Sequence, residues 1–539
     1  MNNKNWLLAA VTIMMLTACS IEDNNAANNP NEPQQLFDYT IIWYGHGGGD
    51  LDLNLALNMM DFYNAAETSY RNVSMVAQYK FSSSETLEST YKDTKNNIEK
   101  KFKPGTPEYE QAIATVEKLK TLYSCGDKTM RFVVNDQKAI YTNADKGGEI
   151  DVDKSTFIGP DNADISSVDS LVNFINWAAS VKPAKKYILV LSDHGGGYNI
   201  MDDADAPGAT SATRGVIYDN GHNSKHFTVK TLAQAISAAK VRPACVYQDA
   251  CLMNNVEYLF ELAPTTDYIV SSSFIVPGEG GDYPALINAL SQNPDDIEAA
   301  LTIFTKASVD RWDKVADNSG NLGEPVYHDM TVMRTDRLDA FGQELKSFTD
   351  RLIDAYQSGD ATVKAAIDNC TAHAYRVNKN KPYYDIIDYL VNLSAALPDV
   401  FGQPLNHPLG KAFDSAIVYQ QSSKWLQEND HTVDCSVMMG WKGCVLVISE
   451  LMEGFPFIIY LYADGSADYY TAINMAEPHF LASTPWGSTL DATYGQLRFD
   501  QLTGWSRWLR LNEQEPNPEC YNGFNPLLPT LVDDDLIQH

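Results

Sequence analysis

The stretch KYILVLSDHGGGY (186–198) decides how this chain is read. Residues 187–191 are apolar without interruption, as suits a strand buried on both faces of a parallel sheet. The run ends in a His followed by three glycines, a turn that leaves room around an imidazole. Similar runs, rich in β-branched and aromatic residues, occur at 39–45, 73–79, 130–135, 244–250 and 267–273. Between them lie amphipathic segments such as SSVDSLVNFINWAAS (166–180) and TVKTLAQAISAAK (228–240), the latter opening on a Thr suited to cap a helix. Strand and helix in alternation predict an α/β/α sandwich with a mainly parallel sheet.

The bulk composition fits that picture. With 539 residues the chain is too long for one ordinary core, and its 44% hydrophobic and 20% charged residues are those of a globular protein. A net charge of −30 excludes a nucleic-acid partner, because nothing here neutralises a phosphate backbone. The first 18 residues read as a signal peptide, with an apolar run at 7–16 that is too short to span a bilayer as a stable anchor. They end in LTAC, which resembles a bacterial lipobox and makes Cys19 the expected lipidation site. Residues 19–36 form a polar tether, and Glu22 and Asp23 resemble an export tag for the cell surface. The expected location is therefore the cell envelope, lipid-anchored to the outer membrane.

Residues 37–292 are expected to form the main domain, with a helical insertion at about 82–127. A helical region follows at 293–426, then a β-rich C-terminal region at 427–539 with a hairpin around Asp464 and Gly465. Seven cysteines follow Cys19, an odd number that hints at one free thiol, and no CxxC pair signals a structural zinc site.

The strand ends carry the candidate chemistry. An esterase would use HGGG as an oxyanion-hole motif, but the sequence contains no G-x-S-x-G nucleophile elbow. GHNSKHF (221–227) lacks the Glu of a zinc-peptidase helix, and DDAD (202–205) lacks the Gly and closing Glu of a calcium loop. Both read as solvated loops. A stronger pair is His194 with Cys251 in PACVYQDACLMNNVEYLFEL (243–262), just past the next long strand. Parallel strands joined by a right-handed crossover end on the same sheet edge, where such sheets bind ligands. A His beside a Cys can hold the thiolate or accept its proton during attack, and a helix starting after Cys251 would lower the thiol pKa further.

These residues resemble the clostripain-like cysteine peptidases, family C11 of the caspase and gingipain clan. The similarity extends over VDSLVNFINWAASVKPAKKYILVLSDHGGGY (168–198), RGVIYDNGHNSKHFTVKTLAQAI (214–236) and DYIVSSSFIVPGEGGDYPALINAL (267–290), within roughly 36–300. Gly281 stands where that family often carries a Trp. The resemblance implies a caspase-like fold and a cysteine endopeptidase cutting proteins or peptides after Arg or Lys. It makes Cys251 the nucleophile, His194 the general acid/base, and the Gly195 and Cys251 amides the oxyanion hole. Asp249 becomes the acid of the pocket for the basic side chain. Arg214, the only Lys or Arg between His194 and Lys225, becomes a self-cleavage candidate. No cofactor is required by such chemistry; calcium dependence occurs in the family, without a ligand set recognisable here. The competing expectation is an inactive binding or scaffold lipoprotein with the same fold.

A second HGGG lies in YGHGGGD (44–50). In the caspase-like sheet this first strand neighbours the His-bearing strand, so His46 and Asp50 are expected to line the substrate pocket.

Overall fold

The computed structural model describes residues 36–134 (without 118–119, 121–122 and 124), 156–158, 163–197, 215–274, 276–318, 328–372, 374, 383–403, 407–423 and 494–512, with short strands at 432–434, 445–447, 469–470 and 474–476. Cys19, Arg214 and the expected hairpin at 464–465 lie outside the described residues.

The sheet is built from the apolar runs noted above. Strands β1 (Phe37–His46), β2 (Val73–Lys80), β3 (Thr129–Val133) and β4 (Thr156–Ile158) precede β5 (Ala184–Ser192). After a small hairpin, β6 (Val216–Asp219) with β7 (Lys225–Phe227), come β8 (Cys245–Asp249), β9 (Tyr268–Ser271) and β10 (Asp329–Arg334). The short β11 (Tyr383–Asp385) pairs elsewhere, with 474–476, and β12 (Ile417–Ser422) closes the series. Nine of these form one sheet in the order β12-β10-β9-β8-β5-β1-β2-β3-β4. The five central strands, β9 to β2, run parallel, whereas β3, β4, β10 and β12 are antiparallel additions at the two sides.

Because successive side chains of a strand point to opposite faces, each central strand feeds two cores. Tyr39, Ile41 and Trp43 of β1 enter one core, and Ile42 and Tyr44 the other. In β5, Ile188 and Val190 are divided in the same way from Leu189 and Leu191. Helices α1 (Asp52–Asp61), α2 (Ser84–Lys101) and α3 (Pro107–Glu117) contribute to the first core. Helices α4 (Val168–Val181), α5 (Val229–Ala238) and α6 (Val256–Leu262) cover the second face. Helices α7 (Tyr283–Gln292) and α8 (Ile297–Asn318) return to the first face, and α9 (Leu338–Tyr356) to the second. The α/β/α sandwich expected from the alternation is therefore the fold.

Local signals account for the helix starts. Thr228 caps α5 by accepting the Thr231 amide at 3.2 Å, while the Thr231 hydroxyl accepts the Thr228 amide at 2.9 Å. Residues 293–426, read from sequence as helical, also supply β10 and β12 to the main sheet. One core thus continues across residue 292 without a break. These two strands are the short, mixed runs DMTVMR and IVYQQS, whose polar residues hide them from a hydrophobic pattern. Residues 221–227 are only in part the solvated loop expected: Gly221, Asn223 and Lys225 are exposed, whereas His226 and Phe227 of β7 are buried. Asn220–His222 form a 3₁₀ turn, and His226, 2% exposed, packs against the Tyr218 ring.

A buried ion pair ties this hairpin to the sheet. Lys80, the last residue of β2, places Nζ 2.5 Å from Asp219 Oδ1, with both side chains almost wholly out of solvent. Removing one partner of such a pair strands the other charge in the interior, which costs about 3–5 kcal/mol. Lys80→Ala is therefore expected to lower the unfolding midpoint strongly. Lys80→Met with Asp219→Asn, which removes both charges and keeps an acceptor for the backbone amides that Asp219 also holds, should recover part of that loss in the same denaturation measurement. Equal midpoints for wild type and Lys80→Ala would show that the pair carries no stability.

Candidate active site

The register of three parallel strands sets the site. Gly45 of β1 pairs with Ser192 of β5, and Ser192 pairs with Asp249 of β8. His194 and Cys251 each lie two residues beyond that level, so they leave the sheet at the same edge. Their backbones meet there. A Cβ on Gly195 would lie 2.2 Å from the Cys251 carbonyl oxygen and 2.8 Å from its amide nitrogen, so only glycine fits.

The His194 loop is held by its neighbour in sequence. Asp193 is buried and accepts the His194 amide at 2.6 Å and the Tyr218 amide at 2.7 Å. Gly196 donates to the Gly215 carbonyl at 3.0 Å, fastening the same loop to β6. Burial pushes the Asp193 carboxyl well above its usual range, against the pull of the His194 charge and the two amides.

Cys251 follows β8 in a turn rather than at a helix start. Leu252 adopts φ +63°, a left-handed conformation that costs a side-chain-bearing residue energy and clusters at functional turns. Its amide donates to Phe274 O at 2.9 Å, and the Asn254 amide to Ser272 O at 2.9 Å. Helix α6 begins only at Val256, capped by Asn255, so the expected dipole effect of a helix starting at Cys251 is not present. Instead, the Val276 amide donates to Cys251 Sγ at 3.3 Å. Cys245, by contrast, is a buried strand residue whose thiol is pushed upward by burial.

The first HGGG stretch does reach this edge. The imidazole of His194 places Nε2 3.0 Å from Asp50 Oδ1, with the two side chains 40% and 58% exposed. Burial alone would lower the His194 pKa, but the Asp50 hydrogen bond and the charges of Asp193 and Asp50 outweigh it. The net shift is upward from the ordinary value of 6.5. For Asp50, burial works upward, and the His194 bond and charge overcome it to hold the carboxyl below its ordinary range.

His46, expected in the substrate pocket, is 0% exposed, with Nδ1 2.8 Å from the Lys80 carbonyl. It offers no atom to a substrate, because the last residue of β1 is wholly out of solvent. Burial lowers its pKa, against the pull of Asp52 and the Lys80 carbonyl. Asp249 is only 5% exposed. It accepts Tyr247 OH at 2.8 Å, Ser192 Oγ at 3.2 Å, the Tyr283 hydroxyl and the Gly281 amide. Burial raises its pKa despite these donors. Gly280 closes the cover, since a Cβ there would lie 2.8 Å from Asp249 Oδ2.

Asp164, Asp219 and His222 form the one group of potential metal ligands among the described residues, their donor atoms within 4.8 Å of one another. Asp219 is already committed. Besides Lys80 Nζ it accepts Gly221 N at 3.1 Å and Ile165 N at 2.9 Å and meets His222 Nδ1 at 3.1 Å. The Lys80 ammonium occupies the place a cation would need.

Asp193, Val276 and the Lys80–Asp219 pair escaped the sequence reading. Only Lys80 carried a signal, a Lys closing an otherwise apolar strand, and its partner 139 positions away carried none.

A sheet of this order, with a His and a Cys at adjacent strand ends and a glycine packed between their backbones, has the architecture of a caspase-like cysteine peptidase. The sequence profile of the clostripain family, peptidase C11, matches residues 144–440. The chain belongs to that family. Among solved structures, it resembles a secreted C11 cysteine protease from Bacteroides thetaiotaomicron, "iotapain". The two share 13% identity over 87% of this chain and 99% of that one, with a TM-score of 0.53. An inactive zymogen C11 protease from Parabacteroides distasonis aligns at 14% identity over 88% of this chain and 99% of that one, with a TM-score of 0.48. No curated protein matches the sequence.

Gly195→Ala is expected to force the His194 loop away from Cys251 and to cost about 1–3 kcal/mol through overpacking. Denaturant titration measures that loss; an unchanged midpoint would show that the two backbones are not pressed together.

Proposed function

We propose that the chain is a cysteine endopeptidase in which Cys251 is the nucleophile and His194 the general acid/base. The observation that carries this reading is the β5–β8 register, which delivers both residues to one edge at the same distance from Ser192 and Asp249. The Cys251 thiolate attacks the scissile carbonyl, and the electron pair moves to oxygen. Amides of Gly195 and Cys251 are the proposed donors to that oxyanion. As the tetrahedral species collapses, the His194 imidazolium gives its proton to the departing amine, leaving a thioester. His194 then takes a proton from water, which attacks the thioester and returns the free thiol.

A preference for Arg or Lys rests on Asp249, two residues before the nucleophile, as the family resemblance implies. An incoming cation would compete with the hydroxyls of Ser192, Tyr247 and Tyr283 for that carboxylate, and would supply the charge they lack. Cleavage at Arg214 between the two catalytic residues, and anchoring of Cys19 by lipid at the outer membrane, belong to the same proposal. No helix among the described residues is long and apolar enough to cross a membrane, and iotapain is described as secreted. A second reading, a binding lipoprotein without turnover, is favoured by one observation: the Val276 amide sits on the nucleophilic sulfur.

Fluorogenic Arg- and Lys-peptides, with and without calcium, separate the readings. Hydrolysis by wild type is expected to fall at least about a thousandfold in Cys251→Ala. Equal rates for the two proteins, or none from either, would remove the peptidase reading. Intact mass spectrometry tests Arg214. Wild type should yield a fragment ending there and Cys251→Ala should not; identical intact masses after incubation would refute self-cleavage.

A further inference from the structure

We infer that Asp50 is a positioning residue for His194, holding the imidazole by Nε2 so that Nδ1 is the nitrogen that exchanges a proton with the Cys251 thiol. This deepens the peptidase reading and rests on it. The contact is direct, at 3.0 Å between His194 Nε2 and Asp50 Oδ1. A carboxylate only accepts, so Nε2 must carry a proton, which leaves Nδ1 as the exchanging nitrogen in the neutral ring. In the imidazolium, the Asp50 charge stabilises the form that must protonate the leaving amine.

The turn carrying Asp50 is built to stay in place. Gly48 and Gly49 adopt φ +60° and +111°, which a side chain would resist, and they bring the chain back over the sheet edge. Asn220 donates to the Gly48 carbonyl from one side. On the other, Asp52 is fully buried beneath the turn and accepts the Tyr79 hydroxyl. A Cβ on Gly47 would lie 2.5 Å from the Asp52 backbone, so the turn is pressed against the start of α1, and a side chain added at Gly48 would reach the His194 ring, its Cβ 3.8 Å from Cδ2. Asp50 itself accepts the Leu51 amide at 3.1 Å, which fixes its rotamer.

The charged and titratable groups around the ring are few. Asp50 faces it from the β1–α1 turn, Asp193 lies behind it on its own strand end, and Cys251 lies across the β5–β8 edge. Next to Asn220, His222 is engaged with Asp219 and Lys80 instead. Asp193 is tied to two amides, so Asp50 is the carboxylate that addresses the ring itself.

The test combines a titration with kinetics. In a Cys251→Ala background, His194 followed by NMR is expected to titrate at lower pH when Asp50 becomes Asn, because the charge favouring imidazolium is gone. In the active protein, Asp50→Asn should lower kcat about tenfold with little change in KM, the cost of a loosened proton donor. The alkaline limb of kcat/KM should move to lower pH, since the imidazolium is lost sooner as pH rises. Asp50→Glu should restore part of both. A His194 titration that does not move in Asp50→Asn overturns the inference. It does so whether or not the protein hydrolyses peptides, so it is separable from failure of the peptidase reading itself.

Discussion

Everything at the candidate site depends on Ser192 standing level with Gly45 on one side and Asp249 on the other. Side chains alternate along a strand, so a slip of one residue in either pairing would turn the whole strand over. Tyr39, Ile41 and Trp43 would then trade cores with Ile42 and Tyr44, and the aromatic packing of Trp43 with Phe62 and Tyr79 would be lost. The hydrophobic pattern therefore enforces the register, and the register places three strand ends on one edge. The turns that follow, at 47–50, 193–197 and 251–254, have no choice but to share it. Glycine is needed at 195 because the edge is crowded, not because the chain there is loose.

A second layer of buried polar groups steadies those turns. Asp193 collects two amides and Asp219 collects two amides, a Lys and a His. Buried charges are weak evidence for stability as such, since desolvation consumes much of the gain. Their contribution here is geometric. Asp219 joins β2 through Lys80 to the start of α4 through Ile165, and Asp193 joins β5 to β6, so four segments distant in sequence converge on one backbone arrangement. Near the first turn, burial works against charge on both His46 and Asp52, lowering the pKa of the one and raising that of the other.

The sheet was legible because its central strands are buried on both faces and their few polar residues, such as Thr40, Ser74 and Gln78, stand singly among apolar ones. The added strands were not. DMTVMR lies at the side of the sheet and hides polar groups such as Asp329, which accepts amides from Ser273 and Phe274, so its pattern resembles a loop. The His194–Cys251 juxtaposition could be argued from strand order alone, since both follow strand ends. Which nitrogen of His194 faces which partner could not, because Asp50 is 144 positions away and the contact depends on the path of a glycine turn. Sequence spacing also misplaced the start of α6, since nothing in LMNN announces a left-handed Leu or a cap at Asn255.

Asp249 shows why a strand-end carboxylate cannot be assigned from position alone. Its hydroxyl partners include Tyr283, the first residue of α7, whose entry is capped by Asp282 accepting the Ala285 amide at 2.9 Å. The segment leading into α7 is tied down independently, by Trp312 donating to Gly280 O at 2.7 Å and Asn58 to Gly278 O at 3.3 Å. That same segment presents the Val276 amide to Cys251 Sγ. Sulfur and carboxylate are thus covered by one run of chain, anchored at both sides by α1 and α8. Two of the four donors to Asp249, the Tyr283 hydroxyl and the Gly281 amide, lie in that same run of chain. Whatever role Asp249 has toward substrate, its role in this structure is to hold that cover in place.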